Sequence, residues 1–281
     1  MDWNKTNTIL IAAFIILNIF LFTSSYNDIF SEEYDVTSDK EFIDNVENIL
    51  KKKNITLSAN LPEETYMLPT LNTEYEMIYV SKDILNQFLG PDVEPIEGVF
   101  SYKNVKKEVF EVTDGKKVHY TLREKNSGKI AKEDTITQDI NKFIEDKKID
   151  ASGYSENYRH ISNDSSLVVY TKNHNNFSMD NSYMNFYFDN EGIYKFEMQN
   201  IISVIETAGK IRTFSALEAL PRLLSFDEIE NKEVIEIKMT YYSVEDENWQ
   251  LISGINSYPV WKVIFSDGTQ KHLSITSYNI D

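Results

Sequence analysis

The chain contains no cysteine, which excludes a disulfide framework, a thiolate zinc site and a cysteine nucleophile together. Proline (6) and glycine (9) are scarce among 281 residues, leaving little material for long flexible linkers. Positive charge is also short. Lys and Arg total 28 against 45 Asp and Glu, a net charge of −17 at pH 7, and such a surface repels nucleic-acid backbones and anionic lipid head groups. Nucleic acid is therefore not an expected partner. The four histidines, His119, His160, His174 and His272, fall in no HExxH or other paired ligand spacing. GxSxG, SxxK and a glycine-rich phosphate loop are missing too, so no cofactor, metal or catalytic motif is expected.

What remains is globular and aromatic. Hydrophobic residues make up 41%, with 17 Tyr and 16 Phe, enough for a core and biased towards strands. Acidic clusters at Asp227–Glu230 and Glu245–Glu247 read as solvated surface at this overall acidity. An exported hydrolase would instead need distant carboxylates such as Glu111 and Asp189 to converge in one deep pocket. The acidic, Asn-rich stretch from Asp180 to Glu191 lacks the residue order of an EF-hand loop. His119 and His272 occupy comparable places on the second strands of hairpins, where an outward-facing polar side chain is expected.

The longest apolar run is Ile9 to Phe22, ILIAAFIILNIFLF, inside an uncharged stretch from Thr6 to Asn27. With its uncharged flanks it supplies about 20 residues at about 1.5 Å rise, enough to cross the hydrocarbon of a bilayer. An uncleaved signal anchor is the expectation; cleavage after Ser25 and a buried core helix are the competing readings. Lys5 precedes the run and Asp28, Glu32, Glu33 and Asp35 follow it, which places the N-terminus in the cytoplasm and the rest outside the cell. Trp3 and Tyr26 stand where interfacial aromatics belong. Asn18 is a carboxamide within the span, and Asn4, Ile11, Asn18 and Ser25 recur every seven residues on one face. Such a residue either bonds to a partner helix or is simply tolerated one turn from the interface.

Beyond the span, Asp39–Lys53 places Phe42, Ile43, Val46, Ile49 and Leu50 on one helical stripe. Shorter helices are expected at Ser81–Leu89, Thr137–Lys148 and Thr213–Leu224. Strand, turn, strand patterns begin at Val109, Met184 and Val260, around Gly115, Gly192 and Gly268. The near-equal spacing of those glycines either reflects a repeated unit or is chance. Further strands are expected at Glu97–Lys103, Ser166–Thr171 and Val234–Ser243. The fold class is α+β with antiparallel sheets and packed helices, divided as 1–27 (tail and anchor), 28–128 and 129–281, with the boundary in the charged segment Glu124–Thr135.

The N-terminal words MDWNKTNTILIAAFIILNIFLF, with Met1-Asp2-Trp3 ahead of Lys5 and an Asn inside the span, resemble the start of YycI (WalI) proteins of Gram-positive bacteria. The C-terminal YPVWKVIFSDGTQ from Tyr258 is similar to the same family, although PepSY modules carry hairpins of this kind. The resemblance implies a non-enzymatic accessory regulator of the WalK–WalR (YycG–YycF) two-component system of cell-wall metabolism. It implies action with a YycH-like protein on the sensor histidine kinase, largely through transmembrane helices, and a fold similar to the C-terminal part of YycH. The candidate partner-contact residues are then Trp3, Lys5, Ile11, Asn18 and Phe22 in the anchor. The alternative is an anchored extracellular ligand-binding or inhibitory module of PepSY type.

Overall fold

The computed structural model describes Phe14 and residues 40–96, 100–126, 133–162, 166–244 and 253–274. The chain divides into two units, Met1–Asp44 and Asn45–Asp281. Helix α1 (Lys40–Lys51) begins in the first and ends in the second, where its stripe buries Val46 and Leu50. It stops where Asn54 takes a left-handed φ of 52° and the Ile55 N–H donates to the Leu50 carbonyl.

The second unit is α+β and rich in sheet. After α1 come β1 (Thr56–Leu57), β2 (Met67–Tyr75), α2 (Lys82–Leu89), β3 (Val93–Pro95), β4 (Ser101–Asn104), β5 (Val109–Thr113) and β6 (Lys117–Thr121). They are followed by α3 (Glu133–Asp146), β7 (Tyr154–Ile161), β8 (Ser166–His174), β9 (Phe177–Asp189), β10 (Gly192–Gln199) and β11 (Ile201–Arg212). The chain closes with α4 (Ala216–Ala219), β12 (Glu233–Tyr242), β13 (Gly254–Phe265) and β14 (Gln270–Ser274). Fourteen strands form one sheet in the order β11-β2-β13-β12-β9-β10-β6-β5-β4-β3, with β7 joined through β8 to β9, β14 to β13 and β1 to β12. Among the described residues every pairing is antiparallel except β1 with β12 and β9 with β12.

The three hairpins form where the alternation places them, as β5–β6, β9–β10 and β13–β14. Their turns require a backbone that L side chains rarely adopt, and glycine supplies it at Gly115, Gly192 and Gly268 with φ of 65°, 102° and 86°. The first two hairpins are neighbours, because β6 pairs with β10 from Lys117↔Gln199 to Thr121↔Lys195. That pairing joins the two hairpins side by side in one sheet.

Helix α2 begins at Ser81, whose hydroxyl accepts from the Ile84 N–H at 3.3 Å, and ends at Gly90. Helix α3 starts at Glu133, four residues before the expected Thr137, because Glu133 and Asp134 suit the positive end of a helix and Ile136, Ile140 and Phe143 then share one buried face. Both helices cover one face of the β5–β6–β10–β9–β8 region, burying Phe88, Phe110, Tyr120, Phe143, Phe186 and Phe196 in one cluster. Truncating any of these rings would cost about 3–5 kcal/mol.

The expected helix over Thr213–Leu224 is α only from Ala216 to Ala219 and continues as a 3-10 turn from Leu220 to Ser225. Pro221 is the reason, since it has no N–H to donate to the carbonyl four residues back. Ser215 and Glu218 cap the start reciprocally. Three strands lack clean alternation in the sequence. Strand β11 lies at the edge with much of both faces exposed. Among the described residues strand β7 pairs only with β8. Strand β2 carries Pro69, beyond the Leu71–Glu74 stretch that β13 covers.

Candidate functional site

Trp3, Lys5, Ile11, Asn18 and Phe22 lie outside the described residues, as does the apolar run except Phe14. Among the described residues, no helix is long and apolar enough to cross a membrane. The chemistry that the structure does describe gathers in three side-chain clusters.

The first lies where β9, β12, β13 and β14 meet. Register sets Lys238, Lys262 and His272 directly opposite one another on one face, an arrangement of basic groups that is unfavourable without an anion between them. Asp180 of β9 supplies it. Its Oδ2 lies 2.9 Å from Lys262 Nζ and 2.6 Å from His272 Nε2, and its Oδ1 accepts from Thr240 Oγ1 at 2.9 Å and Ser178 Oγ at 3.3 Å. Lys238 turns instead to Glu236 and the Asn157 carbonyl, both at 2.9 Å. Side-chain exposure is 2% for Lys262 and 6% for Asp180, so this is a buried ion pair. Burial alone would raise the Asp180 carboxyl, but the charge of Lys262 and the bond to His272 outweigh it and hold the group well below the usual carboxylate range. Tyr242 stacks flat on His272 at 3.8 Å between ring centroids. The outward position expected for His272 is thus corrected: its ring is turned to a carboxylate 92 residues earlier, which strand alternation cannot reveal. The hydroxyls of Thr240 and Ser178 bond to Asp180 and not to the imidazole, so no base is set beside a nucleophile.

The second cluster lies on β5, β6, β9 and β10. His119 Nδ1 is 3.2 Å from Glu197 Oε1 and its Nε2 is 2.9 Å from Thr113 Oγ1, in the sequence of contacts of a hydrolase triad. Glu197 is already engaged, however. Lys195 Nζ lies 2.6 Å from the same Oε1 and Tyr187 OH donates to Oε2 at 2.6 Å. A carboxylate neutralised by its own lysine has little field left to stabilise an imidazolium. Burial works to raise the Glu197 carboxyl, and the bonds from His119, Lys195 and Tyr187 prevail and hold it low.

In the third, Arg123 clamps Asp189 with two bonds of 2.5 and 2.6 Å, while the N–H groups of Asn126 and Glu191 donate to the same carboxylate at 2.7 and 2.8 Å. Burial would raise this carboxyl too, yet the Arg123 bonds and the two amides bring it down to about 2. The small cavity beside it, about 190 Å³, is lined by Asp139, Asp189 and Glu191 but not by Glu111, so Glu111 and Asp189 do not converge there. Among the described residues no group of three His, Cys, Asp or Glu side chains is placed to hold a metal ion. Asp180 is instead occupied by Lys262 and His272 and Asp189 by Arg123, while Glu191 accepts from the Asn126 amide at 2.8 Å.

Comparison with known proteins decides the family. The family model described as YycI protein matches residues 34–278. The chain belongs to the YycI family. Among solved structures it is similar to YycH from Bacillus subtilis, with 13% identity and a TM-score of 0.52, over 77% of this chain and 54% of that one. The match thus spans about half the length of YycH, and at this identity it concerns the fold. An uncharacterized protein from Eubacterium rectale is also similar, at 9% identity and a TM-score of 0.42, covering 82% of this chain and 94% of the other. No curated protein matches the sequence.

Proposed function

We propose that this YycI-family chain is a non-enzymatic, membrane-anchored regulator of a WalK-type sensor histidine kinase, acting with a YycH-like partner in the control of cell-wall metabolism. The match of a regulatory family over residues 34–278 carries the reading. The YycH-like fold supports it, as does the way the three ionic clusters consume their own carboxylates. In this reading the run from Ile9 to Phe22 anchors the chain in the cell membrane with Trp3 and Lys5 on the cytoplasmic side and everything from Tyr26 outside. Asn18, with Ile11 and Phe22, meets a partner span, since a carboxamide in lipid gains from bonding across a helix pair.

The test is a membrane pull-down of the tagged full chain after mild crosslinking. Recovery of a sensor kinase together with a YycH-like protein is expected; recovery of neither would overturn the proposal. Asn18→Leu should leave insertion intact and weaken association with the partner span about fivefold, the equivalent of about 1 kcal/mol. An in-membrane two-hybrid assay reads this. Unchanged association would move the specificity out of the membrane.

A further inference from the structure

Over the middle of β12 and beside Trp261 of β13 opens a cleft of about 470 Å³. Its floor is apolar and buried: Trp261, Met239 and Ile237 are 1%, 6% and 5% exposed. Tyr66 and Phe177 form a wall, edge to face with ring centroids 5.3 Å apart, and Tyr66 also leans on Trp261 at 6.3 Å. The rim is built from small amides and hydroxyls, principally Asn157, Asn173 and Asn176 with Ser155.

The charges at this cleft are largely spent within the protein. Arg159 holds both oxygens of Glu156, at 2.8 and 2.7 Å, and Lys238 is taken by Glu236 and the Asn157 carbonyl. Asn157 and Asn173 each use the amide nitrogen, on Thr171 Oγ1 at 3.0 Å and Ser155 Oγ at 2.8 Å, which leaves both amide oxygens to accept. Asn176, in the β8–β9 turn with φ of 71°, and Glu64 have no side-chain bond among the described residues. Open capacity at the rim is therefore that of neutral amides, with Glu64 the one carboxylate left unspent. Among the described residues an anion meets no free cation here, and a wholly apolar ligand would strip water from amides without replacing their bonds.

We propose that this cleft is a saccharide-binding site for a neutral, hydroxyl-rich ligand of about two rings. Sugar hydroxyls both donate and accept, as the exposed oxygens of Asn157 and Asn173 and the whole carboxamide of Asn176 require. The C–H face of a pyranose matches the rings of Phe177 and Tyr66, as apolar surface set beside polar groups that fix orientation does in ligand pockets of about 300–1,000 Å³. The inference goes beyond kinase regulation and does not depend on it, because the cleft lies wholly within the second unit.

The experiment titrates the purified full chain with cellotetraose, maltotetraose and chitotetraose, with tetra-alanine as the extended-peptide control. Methyl resonances of Met239 and Ile237 report on the floor of the cleft. At least one tetrasaccharide should shift them with a Kd of about 1 mM or below. Asn176→Gly keeps the left-handed turn and removes the amide, and Asn173→Ala removes a second rim group; together they should weaken binding about tenfold with unchanged Tm. Absence of any shift with all three sugars would overturn the proposal. So would binding that survives both substitutions, or tetra-alanine binding in the cleft more tightly than the sugars.

Discussion

Behind β5, β6, β9 and β10 the buried side chains are mainly apolar and centre on the rings of Phe110, Tyr120, Phe186 and Phe196, closed over by Phe88 and Phe143 from two helices. Where β9 meets β12, β13 and β14, the fully buried side chains include a lysine, and the contacts that hold it are ionic. Both regions exclude water, but they fail differently. Aromatic packing has no direction, so a lost ring leaves a hole whose cost depends on how far its neighbours collapse. A buried ion pair is directional, and losing one partner strands the other in a medium that disfavours charge.

The largest effect should come from stranding a charge. Lys262→Met takes away the lysine charge beside the Asp180 carboxylate, leaving the bond to His272, and should lower unfolding stability by about 3–5 kcal/mol. Adding Asp180→Asn should restore at least about 2 kcal/mol of the loss, because the stranded charge is then gone. Urea denaturation measures both; additive losses in the double variant would erase the distinction between the two regions. In the aromatic region Phe186→Ala should lose about 3 kcal/mol, and Phe196→Ala on top of it should bring no recovery. A smaller effect separates them by pH. The Asp189 carboxyl lies at about 2 when folded against an ordinary 3.8, so its stabilisation is present above pH 4 and is lost as pH falls through 2. Asp180 and Glu197 are held low and act in the same direction. Stability should therefore fall by at least about 2 kcal/mol between pH 5 and pH 2, and Arg123→Met should flatten the slope in that window. A wild-type slope that Arg123→Met leaves unchanged would show that Arg123 is not what holds Asp189 down.

Legibility in the sequence follows the same divide. The three hairpins and helices α2 and α3 announce themselves because alternation, turn glycines and helical spacing act over a few residues. The hydrolase-like contact order of Thr113, His119 and Glu197 could not be read, since His119 and Glu197 are 78 residues apart. Nor could the pairing of Asp180 with His272: charge in a strand reads as surface until its partner is known. A signal did exist in hindsight, for Lys262 interrupts the apolar run from Val260 to Phe265 and its neighbours Trp261, Val263, Ile264 and Phe265 are all buried. The cleft is less visible still, because its rim and floor come from β7, β8, β9, β12, β13 and the segment before β2. The family, by contrast, was readable from its N-terminal words, and the match over 34–278 establishes it from residues outside them.

The pairing scheme has a consequence for the order of assembly. Strands β5 to β10 find most of their partners nearby in the chain, whereas β1 and β2 must wait for its far end: Ser58 reaches Glu233 across 175 residues and Thr73 reaches Ile255 across 182. Closing such loops is slow relative to forming a hairpin. During synthesis β2 can gain β11 first, and the edge that β13 covers stays open until nearly the whole chain has emerged, while the helix-backed strands can already be compact. Pulse-labelled hydrogen exchange during refolding should protect Phe186 and Phe196 before Leu71 and Thr73. Residues that bracket the domain are thus the last to lock, and a chain cut short before β13 would hold a formed aromatic core beside a sheet still open at β2.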